Sequence, residues 1–126
     1  MRGESVHCLL DRLRLADGAP LALEAGSYPL GRLPGLLDEP LDGSLYDLLG
    51  TRYDARPDAG VQRVTAARAG VRVGRVLQIP PAAALLIFER RTAARGRPIE
   101  LVTSWYRADR YALNMELTAH PFGRTT

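Results

Sequence analysis

The sequence predicts an α+β domain: one antiparallel β-sheet, built from two related hairpins, with a few short helices on one side. Three observations predict it. Asp17-Gly18 is a tight-turn signal between two extended-type runs, Arg95-Gly96 is a second turn between runs of similar pattern, and a compact helical segment follows Ser44. Asp-Gly favours a hairpin because glycine accepts the positive φ that a two-residue turn demands.

Taking the elements in order, residues 6–15 form the first strand and residues 20–28 return antiparallel to it. Pro29, Gly31, Pro34 and Gly35 then exclude long regular structure, and Leu36-Leu37 permits a helical turn. Residues 42–50 read as a compact helix. Ser44 with Asp47 imitates a capping box, Leu45, Leu48 and Leu49 make one apolar stripe, and Gly50 is placed to end it. Residues 58–67 carry the Val and Thr of a strand. Residues 68–78 fit either type; helix is taken, because a polar-flanked connection before Pro80-Pro81 suits a crossover.

Residues 83–91 and 98–106 make the second hairpin. An offset of 78 aligns Gly18 with Gly96, Arg12 with Arg90, Ala16 with Ala94, Pro20 with Pro98, Leu23 with Leu101 and Tyr28 with Tyr106. That spacing is the mark of an internal repeat. The plain alternative is that hairpins resemble one another.

The 126 residues are one domain's worth, and 46% hydrophobic with 25% charged is ordinary globular composition. One cysteine, Cys8, excludes a disulfide framework and a multi-cysteine zinc site, and fits a reducing cytoplasm. Cys8 itself reads as a small buried hydrophobe. His7 and His120 share no ligand-like spacing, so no metal and no cofactor are expected. The apolar run over residues 79–88 is too short for a membrane span. The formal charge is +3, and every basic residue is arginine. The arginines are interleaved with acids along the chain, unlike the clustered footprint of a nucleic-acid binder. An anion site here must be built from Arg, which suits bidentate phosphate or carboxylate recognition.

The stretch from Arg12 through Arg14, Ala16-Asp17-Gly18 and Pro20 to Glu24 resembles a hallmark of the UTRA domain. That is the effector-binding domain of the HutC branch of GntR-type transcription regulators, with a chorismate-lyase-like fold. Three further segments resemble the same family in the same order: Ser44-Leu45-Tyr46-Asp47-Leu48-Leu49, Ile79-Pro80-Pro81-Ala82, and Gly96-Arg97-Pro98-Ile99-Glu100 with Trp105-Tyr106. Together they cover most of residues 5–117, so residues 1–126 are expected to be a single such domain. The winged helix-turn-helix that opens such regulators has no counterpart here, nor has the strand and helix that open the family's domain. DNA would be met only through that other module.

The resemblance implies a small anionic effector, such as a sugar phosphate. Its phosphate would meet Arg12, Arg14, Ser44 and Tyr46, and its sugar end Glu24, Glu100 and Tyr106. It also implies a homodimer; a sheet edge near residues 111–117 is the expected pairing site, with Tyr111 and Arg107 at edge or rim. The residues agree with such a site. Arg12 and Arg14 alternate on a strand and share a face, as do Glu100 and Tyr106, and Ser44 sits beside the free amides of a helix start. The opposite faces, with Leu21, Leu23, Ile99, Leu101 and Trp105, are bulkier and read as core. Two rival readings stand beside the sensor. One is a chorismate-lyase-like enzyme with Glu100 as acid; the other is a degenerate domain that only dimerises. The expectation is a non-enzyme.

Overall fold

The computed structural model describes residues 7–40 and 43–119. Strands β1 (His7–Ala16) and β2 (Ala19–Pro29) lead to a 3-10 turn at Leu36–Asp38. Helix α1 (Leu45–Tyr53), strand β3 (Ala59–Arg68), helix α2 (Gly70–Leu77) and strands β4 (Ala84–Ala94) and β5 (Arg97–Arg107) complete the order. All five strands form one antiparallel sheet in the order β1-β2-β5-β4-β3.

The predicted repeat has a structural counterpart at the turn end of both hairpins. Asp17 and Gly18 turn with φ of 53° and 79°, and Arg95 and Gly96 with 54° and 76°. Positive φ at both central residues is the mirror-image turn whose twist matches paired strands. The register slips between Arg14 and Leu15 in the first hairpin and between Thr92 and Ala93 in the second. Both slips therefore fall at equivalent positions of the 78-residue offset, and both bend their strand as a bulge does.

The two helices lie on opposite faces of the sheet, not on one side. On one face α1 packs Leu45 and Leu49 against Tyr28 and Ile99, with Leu33 and Leu36 from the preceding loop. On the other, α2 packs Ala69, Val73 and Leu77 against Leu85, with Leu23, Ile87 and Trp105 alongside. The reason lies in the connections. The segment holding α1 leaves β2 in mid-sheet and must reach β3 at the far edge, so it crosses one face. The segment holding α2 joins β3 to its immediate antiparallel neighbour β4 and folds onto the other. It is a local connection and not the crossover that the sequence predicted.

The assignment of core to the bulkier faces holds for Ile99, which is fully buried, and for Leu23 and Trp105, which pack beside α2, but it needs correction elsewhere. Leu101 is 50% exposed, whereas Ala22, Tyr28, Glu100, Val102 and Ser104 on the other face are buried. Helix α2 spans only eight residues and covers one end of its face, while α1 and its loop roof the face expected to be small and polar. Gly50 does not end α1. The helix runs on to Tyr53 and stops at Asp54, which takes the left-handed conformation at φ 52°. Residues 111–119 form no strand, so the expected pairing edge there is absent; the sheet edges are β1 and β3. Cys8 belongs to β1, but its side chain and that of His7 lie outside the description, as does His120.

Candidate functional site

Pairing sets the floor of the site row by row. Across β1, β2, β5 and β4 one row reads Arg12, Glu24, Ser104, Phe88, and the next Leu10, Gly26, Val102, Arg90, followed on β3 by Gln62. Gly26 and Val102 are small and lie between the longer side chains of Leu10 and Arg90, so the floor dips. Helix α1 roofs the dip with its first turn. Ser44 caps that turn by accepting from the Asp47 amide at 3.2 Å, while the Asp47 carboxylate turns outward to Arg56 at 2.7 Å. The first-turn amides of a helix lack intrahelical acceptors and face the positive end of its dipole.

The cleft between the sheet and α1 has a volume of about 390 Å³, within the range of small-molecule sites. Its lining brings together six of the seven residues singled out in the sequence: Arg12, Arg14, Glu24, Ser44, Tyr46 and Glu100. Tyr106 is not in the lining. Its ring packs edge-on against Phe88 at 5.3 Å and lies against Tyr111 at 4.3 Å, forming an aromatic wall beside the cavity. Tyr111 is therefore a packing partner at that wall, and Arg107 is turned to Asp109 at 2.8 Å.

Glu100 is the polar centre. It is buried, and three hydroxyls donate to its carboxylate: Tyr46 to Oε1 at 2.6 Å, Thr92 to Oε1 at 3.1 Å and Tyr28 to Oε2 at 2.9 Å. Three charge-assisted bonds offset the cost of burying the charge. Burial, reinforced by the charge of Glu100, pushes the Tyr28 phenol far above its ordinary range. Burial and the bond to Glu100 raise Tyr46 likewise, partly opposed by Arg90. Both phenols therefore stay protonated as donors. Tyr106 is raised by burial and then by the charge of Glu24. Glu24 faces Arg14 at 3.5 Å and accepts a long bond from Ser104 at 3.4 Å.

Sequence reasoning missed Arg90, Arg56 and Tyr28 in this lining. For Arg90 the signal was present, since the repeat aligns it with Arg12. Tyr28 shares strand parity with Glu24. Arg56 reaches in from the loop after α1, and no pattern marked it. The lining holds four guanidinium groups, of Arg12, Arg14, Arg56 and Arg90, against the carboxylates of Glu24 and Glu100, which favours an anion. A larger groove of about 750 Å³ lies over the other face beside Leu101 and Ile99; its lining is mostly apolar. Among the described residues no group of three or more His, Cys, Asp or Glu is placed to hold a metal ion. No described helix is long and apolar enough to cross a membrane.

The fold matches solved effector domains of transcription regulators. The effector domain of PhnF from Mycobacterium smegmatis superposes with a TM-score of 0.83 at 26% identity, covering 90% of this chain and 70% of that one. The ligand-binding domain of a putative GntR-family transcriptional regulator from Bordetella bronchiseptica gives 0.83 at 20% identity, covering 93% and 81%. The C-terminal domain of the histidine utilization repressor from Pseudomonas syringae gives 0.76 at 19%, covering 90% and 78%. The chain spans half the length of a larger PhnF structure. The class is thus an α+β effector domain of the GntR-regulator type. More narrowly, residues 2–112 match the UTRA domain, and the chain belongs to that family.

Proposed function

We propose that this chain is the effector-sensing part of a GntR/HutC-type regulator and takes a small anionic metabolite, a sugar phosphate or small carboxylate, into the cavity under α1. The observation that carries this reading is the arginine-rich lining beneath the first turn of that helix. Arg12 and Arg14 would bracket the anion, with the Ser44 hydroxyl and first-turn amides above it. Glu24 and Glu100 would accept from ligand hydroxyls, and Tyr46 would bridge the two ends.

Sensing follows from differential affinity. A ligand that bridges sheet and helix favours the arrangement in which α1 is closed down, and shifts a dimer toward it. In this reading the protein works in the cytoplasm as a homodimer, meets DNA through a separate N-terminal module, and performs no chemistry. Thermal-shift titration with phosphorylated sugars tests it, because a ligand that binds only the folded state raises the melting temperature. Stabilisation that survives Arg14→Ala unchanged would remove the assignment. Turnover of chorismate that vanishes in Glu100→Gln would replace the sensor with the enzyme.

A further inference from the structure

Arg12 and Arg90 are equivalent in the internal repeat and stand on opposite flanks of the cavity, on β1 and β4. Those strands are three spacings apart, about 14 Å across the sheet. Each arginine reaches up to a different part of the roof. Arg12 donates from Nη2 to the Gly43 carbonyl at 3.3 Å, and Arg90 from Nη1 to the Tyr46 hydroxyl at 3.4 Å.

The other two guanidinium groups of the lining each face a carboxylate, Arg14 that of Glu24 at 3.5 Å and Arg56 that of Asp47 at 2.7 Å. Among the described residues, neither Arg12 nor Arg90 has a carboxylate within ion-pair distance. Arg90 is instead clamped by a neutral group. The Gln62 side-chain oxygen, directly across from it on β3, accepts from Nε at 3.0 Å and Nη2 at 2.8 Å. That fork fixes the guanidinium plane without cancelling its charge, and leaves one N–H on each terminal nitrogen. Arg90 feels the charge of Glu100, but three hydroxyls already occupy the oxygens of that carboxylate. A half-buried cation held rigid and unneutralised is arranged for an anion from outside.

We propose that Arg90, positioned by Gln62, is a second anion-binding point, so that the cavity selects a ligand with an anionic group at each end. One end would lie at Arg12 and Arg14, the other at Arg90. The inference rests on the reading of this cavity as the effector site, and it narrows the ligand class to a phosphate–carboxylate or a comparable two-ended anion.

Calorimetric titration of the whole chain with two matched pairs tests it: glycerol 3-phosphate against 3-phosphoglycerate, and glucose 6-phosphate against 6-phosphogluconate. In at least one pair the two-ended member should bind about tenfold more tightly, the scale of one added charge-assisted contact. Arg90→Gln should weaken that member about tenfold more than its one-ended twin, and Gln62→Ala should narrow the gap in the same direction. Melting temperatures check that both variants fold, and Gln62→Ala carries the comparison should Arg90→Gln fail to. Equal affinities within each pair, or a gap that survives both substitutions, overturn the inference; phosphate binding still lost in Arg14→Ala then leaves the effector site standing. If none of the four compounds binds, both readings fall.

Discussion

Ala25 of β2 stands directly opposite Thr103 of β5, and the same two positions are equivalent in the 78-residue repeat. A position that pairs with its own counterpart marks a local two-fold axis through the sheet, and the two hairpins are related about it. On the face under α1, that axis emerges between the Glu24–Ser104 pair and the Gly26–Val102 pair, on the floor of the cavity. The site is therefore built on a symmetric frame and made asymmetric by substitution: Glu24 corresponds to Val102, Gly26 to Ser104 and Ala22 to Glu100.

Gly26 is required by its neighbour. A Cβ there would meet Cε2 and the hydroxyl oxygen of Tyr28 at 2.7 Å, and Tyr28 is only 2% exposed with its hydroxyl bound to Glu100. Gly26→Ala should displace the ring, break that bond and cost about 1–3 kcal/mol. Chemical denaturation together with near-ultraviolet circular dichroism checks both effects. Unchanged stability would mean that the ring has room to retreat.

The roof depends on α1 staying docked. Leu49 is fully buried, while Leu48 is half-buried beside it. Leu49→Ala should cost about 2–5 kcal/mol through transfer and cavity terms, and Leu48→Ala clearly less. Urea midpoints of the two variants measure the order, and reversed costs would contradict this packing.

Alkaline pH should weaken the fold. Burial, followed by the Glu100 interactions, raises Tyr28 and Tyr46 above the usual tyrosine value near 10. Their contribution is complete below that value and is lost as pH climbs toward the folded-state values, because the unfolded chain gives up those protons first. Stability should fall between about pH 10 and 12. In Tyr28→Phe the pH dependence should flatten.

Tyr46 connects the anchors. Its hydroxyl donates to Glu100 at 2.6 Å and accepts from Arg90 at 3.4 Å. Tyr46→Phe should weaken ligand binding about threefold to tenfold, the worth of one hydrogen bond. Arg14→Ala should reduce it further. Titration of both variants with one phosphorylated probe gives the comparison, and equal affinity in wild type and Tyr46→Phe would exclude this bridging role.

What could be read from the sequence was local. Turn chemistry at Asp17-Gly18 and Arg95-Gly96 located both hairpins, strand parity put Arg12 and Arg14 on one face, and Ser44 marked the start of α1. What escaped depends on the order in which strands meet. That Gln62 lies beside Arg90 follows from β3 pairing with β4, and that the helices oppose each other follows from where the connections land. Leu101 remained exposed because α2 is too short to reach it. Tyr106 was drawn from the lining by Tyr111, a partner beyond the last strand whose position no periodicity announces.

The join between β2 and β5 also shapes how the molecule assembles. Each hairpin can close through neighbours in sequence, and β3, α2, β4 and β5 follow one another without interruption. Uniting the first hairpin with the rest means bringing together residues some 75 positions apart, a contact whose loop-closure entropy is met only once both halves exist. The slow event on the folding pathway is then the meeting at Ala25 and Thr103, and until it occurs there is no basin for a ligand to enter.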